Sequence, residues 1–85
     1  MIFDLEPMIL KLLQQMIYDN NWKIRLDGAK FLKMYMPLAK DSPRFDSIYF
    51  PQLVELLNDE ENYVRIEAIE ACTEVLERIT EEDIE

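Results

Sequence analysis

No histidine occurs in this chain, and cysteine and glycine occur once each, as Cys72 and Gly28. Without histidine the chain lacks the side chain that most often serves as general base or metal ligand near neutral pH. Zinc sites and Ser/His triads are thereby excluded, since one cysteine cannot supply a ligand pair. A phosphate cradle needs several glycines in one loop, and Gly28 stands alone. No cofactor and no metal is expected. One cysteine also rules out an internal disulfide framework and points to a reducing, intracellular (cytoplasmic) setting. Cys72 lies on an apolar helix stripe and reads as a small buried hydrophobe, because no histidine is present to activate it. With so little glycine, only four prolines and no sustained alternation of apolar and polar residues, helix is favoured over sheet. No apolar run approaches the ~20 residues of a membrane span, and the N-terminus carries no basic-then-apolar signal.

What the chain has is a repeat. Asp19-Asn20-Asn21-Trp22-Lys23-Ile24-Arg25-Leu26-Asp27-Gly28 aligns without gaps, forty residues on, with Asp59-Glu60-Glu61-Asn62-Tyr63-Val64-Arg65-Ile66-Glu67-Ala68. Flanking apolar positions match too: Leu13 with Leu53, Met16 with Leu56, Leu32 with Cys72, Met36 with Leu76. A fixed period of this size marks stacked helical repeats. The 85 residues make one small domain with a thin core, divided into a first repeat over about 4–40, a second over about 41–79 and a tail at 80–85. The net charge of -9 is unevenly spread. Residues 1–50 hold seven Lys/Arg against six Asp/Glu, a balance of +1, and residues 51–85 hold two against twelve, a balance of -10. That distribution disfavours nucleic acid and anionic membranes and suits a basic protein surface.

Four helices are expected. The first runs from about Leu5 to Tyr18, with Leu5, Ile9, Leu12, Leu13, Met16 and Ile17 on one face, Asp4 as N-cap and Pro7 in the first turn. The second runs from about Trp22 to Tyr35, its stripe Ile24, Gly28, Phe31, Leu32, Tyr35 and Met36, and ends before Pro37 and Asp41-Ser42-Pro43. Gly28 is unfavourable inside a helix, and its counterpart is Ala68, so a close helix contact is expected there. The third runs from about Arg44 to Asn58, with Phe45, Tyr49, Leu53, Leu56 and Leu57 inward and Pro51 kinking it or delaying its start. The fourth runs from about Glu60 to Ile79, capped by Asp59, with Val64, Ala68, Ala71, Cys72, Val75, Leu76 and Ile79 inward. Thr80-Glu81-Glu82-Asp83 has the form of a capping box, which predicts a further helix start. Ile2, Phe3, Met8, Leu10, Met34, Ile48, Phe50, Val54, Ile66 and Ile69 lie off the main stripes, and some belong under a neighbouring repeat or a second copy of the chain.

Leu53-Val54-Glu55-Leu56-Leu57-Asn58-Asp59, Tyr63-Val64-Arg65, Ala68 and Ala71 resemble a HEAT repeat, as do Asp19, Trp22 to Leu26 and Ala29 of the first copy. The resemblance covers about residues 5–79. Asp19 to Leu26 with Tyr35-Met36-Pro37-Leu38 is further similar to the scaffold (A) subunit of protein phosphatase 2A and related phosphatase regulatory subunits; Asn62 departs from that pattern where the first copy has Trp22. The resemblance implies an all-α fold: two antiparallel hairpins stacked as a short solenoid, first helices convex and second helices concave. It implies a non-catalytic interaction scaffold, with a phosphatase catalytic subunit or a basic protein surface as partner. The gripping ridge would comprise Asn20, Asn21, Trp22, Lys23, Glu61, Asn62 and Tyr63, along an edge braced by a ladder of Asp19, Arg25, Asp59 and Arg65.

Each functional reading competes with a plainer one. Trp22 is either a partner anchor or a lid on the local core. Arg25 and Arg65 could fork onto a ligand carboxylate, but pairing with Asp19 and Asp59 explains why both types recur together. Glu67, Glu70, Glu74 and Glu77 line one helix face, which is a solvated surface with Lys30 beside Glu70 more readily than a docking strip. Asn58 to Asn62 lacks the glycine and terminal glutamate of a calcium loop. The carboxylates elsewhere sit on exposed faces where nothing splits their pKa values, so no enzyme is expected. Two alternatives remain: an acyl-carrier-like protein modified on Ser47, within Asp46-Ser47-Ile48, and a self-associating helical bundle.

Overall fold

The structure is a computed structural model that describes residues 5–83, with side chains described through residue 78. The expected cap Asp4 and the apolar Ile2 and Phe3 lie outside the described residues, as does the side chain of Ile79. Helix α1 spans Glu6–Ile17, α2 Trp22–Tyr35, α3 Phe50–Leu57 and α4 Asn62–Asp83, and no strand occurs among the described residues. α1 with α2 and α3 with α4 form two hairpins. Helix α2 is central, packing on α1, α3 and α4. No helix among the described residues is long and apolar enough to cross a membrane.

Local chemistry explains the boundaries. Asn21 caps α2, its side-chain oxygen accepting from the Lys23 N–H at 3.0 Å. The residue entering α1 is Leu5, which offers no side-chain cap, and Pro7 sits in the first turn. α2 gives way at Met36 to a run of turns that leads to a π-helical turn, Phe45–Tyr49. Here the Tyr49 N–H donates to the Arg44 carbonyl at 3.1 Å, one residue further back than in an α-helix. Pro51 is the cause: its ring would crowd the Ser47 carbonyl of a regular turn, and it has no N–H to donate there. The third helix therefore begins late, as the position of Pro51 predicts. Its fourth counterpart begins at Asn62 rather than Glu60, and Asp59 caps the loop instead, accepting from the Glu61 N–H at 2.9 Å. α4 runs unbroken through Thr80 to Asp83, so the expected new start at Thr80 does not occur. The acidic residues there propagate a helix already nucleated, and no proline or glycine interrupts it.

The core is one cluster of aliphatic and aromatic side chains. Leu13, Ile17, Leu32, Met36, Tyr49, Leu53, Leu56, Val64, Ala68, Ala71 and Val75 are buried in it, with Cys72 packed half-buried against its edge. Three stripe residues depart from expectation: Leu5, Leu12 and Leu76 are 60, 54 and 51% exposed. They lie on outer faces that no other element covers among the described residues. Gly28 packs on α1 as expected, yet a Cβ built there would sit 3.4 Å from Met16 Cβ and 3.5 Å from Ile17 Cγ1, ordinary contact distances. A methyl group thus fits where glycine stands. Gly28→Ala is expected to stabilise the fold by about 0.5–1 kcal/mol, the helix-propensity difference, measured by urea unfolding.

A buried carboxylate joins the two hairpins at the far end from their turns. Glu6, 1% exposed, accepts from Ser42 Oγ and Tyr49 Oη at 2.7 Å each and from Arg44 Nη1 at 2.9 Å. Burial alone would raise the Glu6 pKa, but the bonds from Ser42, Tyr49 and Arg44 outweigh it and hold the group below its ordinary 4.5. Burial, reinforced by the bond to Glu6, pushes the Tyr49 phenol upward, so it stays a donor. A depressed folded-state pKa contributes stability that is complete above about 4.5 and is lost as pH falls through the lower folded value. Glu6→Gln is expected to cost about 2–3 kcal/mol at pH 7 and to flatten the acid limb of stability against pH, read from thermal melts between roughly pH 3 and 7.

Candidate functional site

The two inter-helix turns lie side by side and carry most of the residues that the repeat pattern singles out. Asp19 opens the first turn, its Oδ1 accepting from the Asn21 N–H at 2.8 Å. Asp59 does the same for Glu61 in the second. The two turns thus share one backbone shape, set by an Asx side chain folding onto the N–H two residues ahead.

Arg25 ties the turns together. Its Nε and Nη2 meet Asp59 Oδ2 and Oδ1 at 2.7 and 3.1 Å, and its Nη1 donates to the carbonyls of Asp19 and Asn20 at 2.8 and 3.2 Å. Both side chains are largely buried, 13 and 8% exposed. The bond to Asp59 raises the Arg25 pKa. Burial would raise that of Asp59, but the bonds from Arg25 and the Glu61 N–H prevail and lower it. Arg65 repeats the inner half of the pattern: its Nη1 donates to the Asp59 carbonyl at 2.6 Å and its Nη2 to the Asn62 side-chain oxygen. The structure thus places the ladder residues as a single completed rung, Arg25 with Asp59, and a half-built one at Arg65.

On the outer side of the rung, Trp22 and Tyr63 stack with ring centroids 5.6 Å apart and planes 20° from parallel. Trp22 is half-buried, packed against the core as well as on Tyr63, while Tyr63 stays 62% exposed. Lys23 Nζ lies 5.9 Å from the Trp22 ring centre, in cation–π range. Asn20, Asn21, Lys23 and Asn62 are exposed and Glu61 is half-buried, so the seven ridge residues lie along the two adjacent turns. Inside the ridge a cleft of about 360 Å³ opens between the turns, lined by Asp19, Asn20, Arg25, Glu55, Asp59 and Glu60 among others.

Away from the ridge, Lys33 and not Lys30 meets the acidic strip of α4. Its Nζ lies 2.9 Å from Glu70 Oε1 and 3.6 Å from Glu67 Oε2, and its pKa is raised by these partners, Glu70 foremost. Side chains lean toward the N-terminus of their helix, so a long lysine level with Thr73 in the repeat frame reaches back a turn. Ser47 is exposed in the π-helical turn. A carrier protein's long loop before that serine has no counterpart here, since residues 22–35 form α2. The Glu6 cluster carries no local sequence signal, because its partners lie 36 to 43 residues away.

The rung is expected to behave as a unit. A double-mutant cycle on Arg25→Ala and Asp59→Ala should give a coupling of about 1.5–3 kcal/mol, read from urea unfolding, and Arg25→Lys should recover less than half of it.

Comparison with known families matches residues 50–79 to the HEAT repeat. No curated protein and no solved structure matches the chain. The matched residues are α3 with most of α4, so the second hairpin is the part of the chain that resembles a HEAT unit by sequence, and the first hairpin reproduces its turn geometry forty residues earlier.

Proposed function

We propose that this chain is a non-catalytic protein-interaction module that grips a partner protein along its turn ridge inside the cell. The observation that carries the reading is the Trp22–Tyr63 stack. Two aromatic rings stack across the paired turns, one of them 62% exposed, and Arg25 ties those turns together. Aromatic side chains anchor interfaces because they bring large contact area at little conformational cost, and a preformed ridge loses little entropy on docking. The HEAT match over residues 50–79 supports the same class, since such repeats serve as interaction scaffolds. The acidic balance of the second repeat favours a partner with basic side chains near the contact.

Within that class we favour a phosphatase regulatory or scaffold role, with the phosphatase catalytic subunit as partner. Its support is the first-repeat likeness at Asp19 to Leu26 and Tyr35 to Leu38. The test is a calorimetric titration of the full chain with a phosphatase catalytic subunit. Wild type is expected to bind, and Trp22→Ala to weaken binding by at least about tenfold, roughly 1.4 kcal/mol. Unchanged affinity in Trp22→Ala would remove the ridge from the reading. Absence of wild-type binding would remove the phosphatase.

A further inference from the structure

We propose that copies of this chain assemble head to tail, the outer face of α4 in one copy covering the open face of α1 and α2 in the next. The contact would reproduce, between molecules, the packing that already joins the two repeats. The inference rests on the chain being a stacking repeat unit and goes beyond the ridge, because it concerns the two ends of the stack.

The donor face is read from α2. Trp22, Arg25 and Lys33 all reach the second repeat, and the fully buried Ala29 shares their side of the helix. Forty residues on, the same side of α4 carries Asn62, Arg65, Ile69 and Thr73, with Ile66 beside them. Ile66 and Ile69 are 52 and 55% exposed, an apolar pair placed where α2 has a buried seam. The receiving face is read in the opposite direction. Tyr49, Gln52, Leu56 and Ala71 are buried in the second repeat. Their first-repeat counterparts Ile9, Leu12, Met16 and Phe31 instead line an open hollow of about 100 Å³.

Charge completes the match. Asp19 has the same local bond as Asp59, from the N–H two residues ahead, yet among the described residues no cation lies within ion-pair distance of its carboxylate. Arg65 has the same inner bond as Arg25, to the carbonyl six residues back. Its Nη2 is held by the neutral amide of Asn62, where the Arg25 fork holds a carboxylate. Each end of the stack therefore carries half a rung, and Arg65 of one copy fits Asp19 of the next. Either symmetric arrangement opposes like charges, Asp19 with Asp19 or Arg65 with Arg65, and pairing two second repeats brings together two acidic units, each with three Lys/Arg against ten Asp/Glu over residues 41–79. A head-to-tail contact of this kind does not close on two copies, so the assembly grows with concentration.

Sedimentation equilibrium on the whole chain tests this. The weight-average mass of the wild type is expected to pass that of a dimer between about 10 μM and about 1 mM. Ile69→Glu spoils only the donor face and Leu12→Glu only the receiving face; both residues are more than half exposed, and circular dichroism verifies that each variant keeps its helices. Each variant alone is expected to stay monomeric, and an equimolar mixture to give a dimer and nothing larger. A monomeric wild type over that range overturns the proposal, as does a mixture that stays monomeric. Either variant dimerising alone overturns it in favour of a symmetric contact. Neither substituted residue lies on the turn ridge, so these outcomes and those of Trp22→Ala are read independently.

Discussion

The guanidinium of Arg25 makes two hairpins into one object. It binds the carbonyls of Asp19 and Asn20 on one turn and the carboxylate of Asp59 on the other. The hairpins also meet where α2 packs on α4 and where Tyr35 meets Tyr49 edge-on, ring centroids 5.5 Å apart. Apolar packing of this kind is less directional than a charge-assisted hydrogen bond. A planar fork closing on a carboxylate tolerates no slide. Once the register is set, Trp22 falls beside Tyr63 and Lys33 beside Glu70. The candidate ridge depends on that register.

A second polar staple acts at the other end of α1, about 18 Å away along its twelve residues. There Glu6 gathers a hydroxyl from the inter-repeat turns, a phenol from the π-helical turn and the Arg44 guanidinium. A chain this short has little apolar surface to bury. It fixes its inter-repeat geometry at both ends with carboxylates whose bonds are charge-assisted and shielded from water. Both carboxylates are held below their ordinary pKa, so acid loosens the two staples together.

The fold was legible because the repeat puts the same residues at the same offsets. Helix α2 follows from the Asx turn and Pro37 that bound it, and the late start of α3 follows from Pro51. Thr80 misled because a capping box signals a start only where the chain is not already helical, and α4 arrives there as a growing helix. The repeat register sets Lys30 beside Glu70, whereas side-chain length and tilt bring Lys33 there instead. The apolar character of Leu5, Leu12 and Leu76 was legible, but their exposure was not, since periodicity marks a face without saying whether a layer covers it. Glu6 was invisible for a different reason. A lone acidic residue in a first turn looks like a helix-dipole partner, and only tertiary closure brings Ser42, Arg44 and Tyr49 to it.

The differences between the two copies divide by job. The acidic strip of α4 looks in sequence like a docking surface, but Lys33 already spans Glu67 and Glu70 from the neighbouring helix. That pairing is internal to the solenoid and weak because it is solvated, so it adjusts the fold without offering much to a partner. At the turns the contrast runs the other way. Trp22 and Asn62 occupy equivalent places, yet the tryptophan reaches across to Tyr63 of the second repeat, and Asn62 turns back onto Arg65 of its own helix. One substitution within a repeated frame thus creates an aromatic pair between the repeats and gives the next arginine a neutral side-chain partner beside the Asp59 carbonyl. The frame supplies rigidity, and the broken symmetry at positions 22 and 62 supplies whatever the ridge can discriminate.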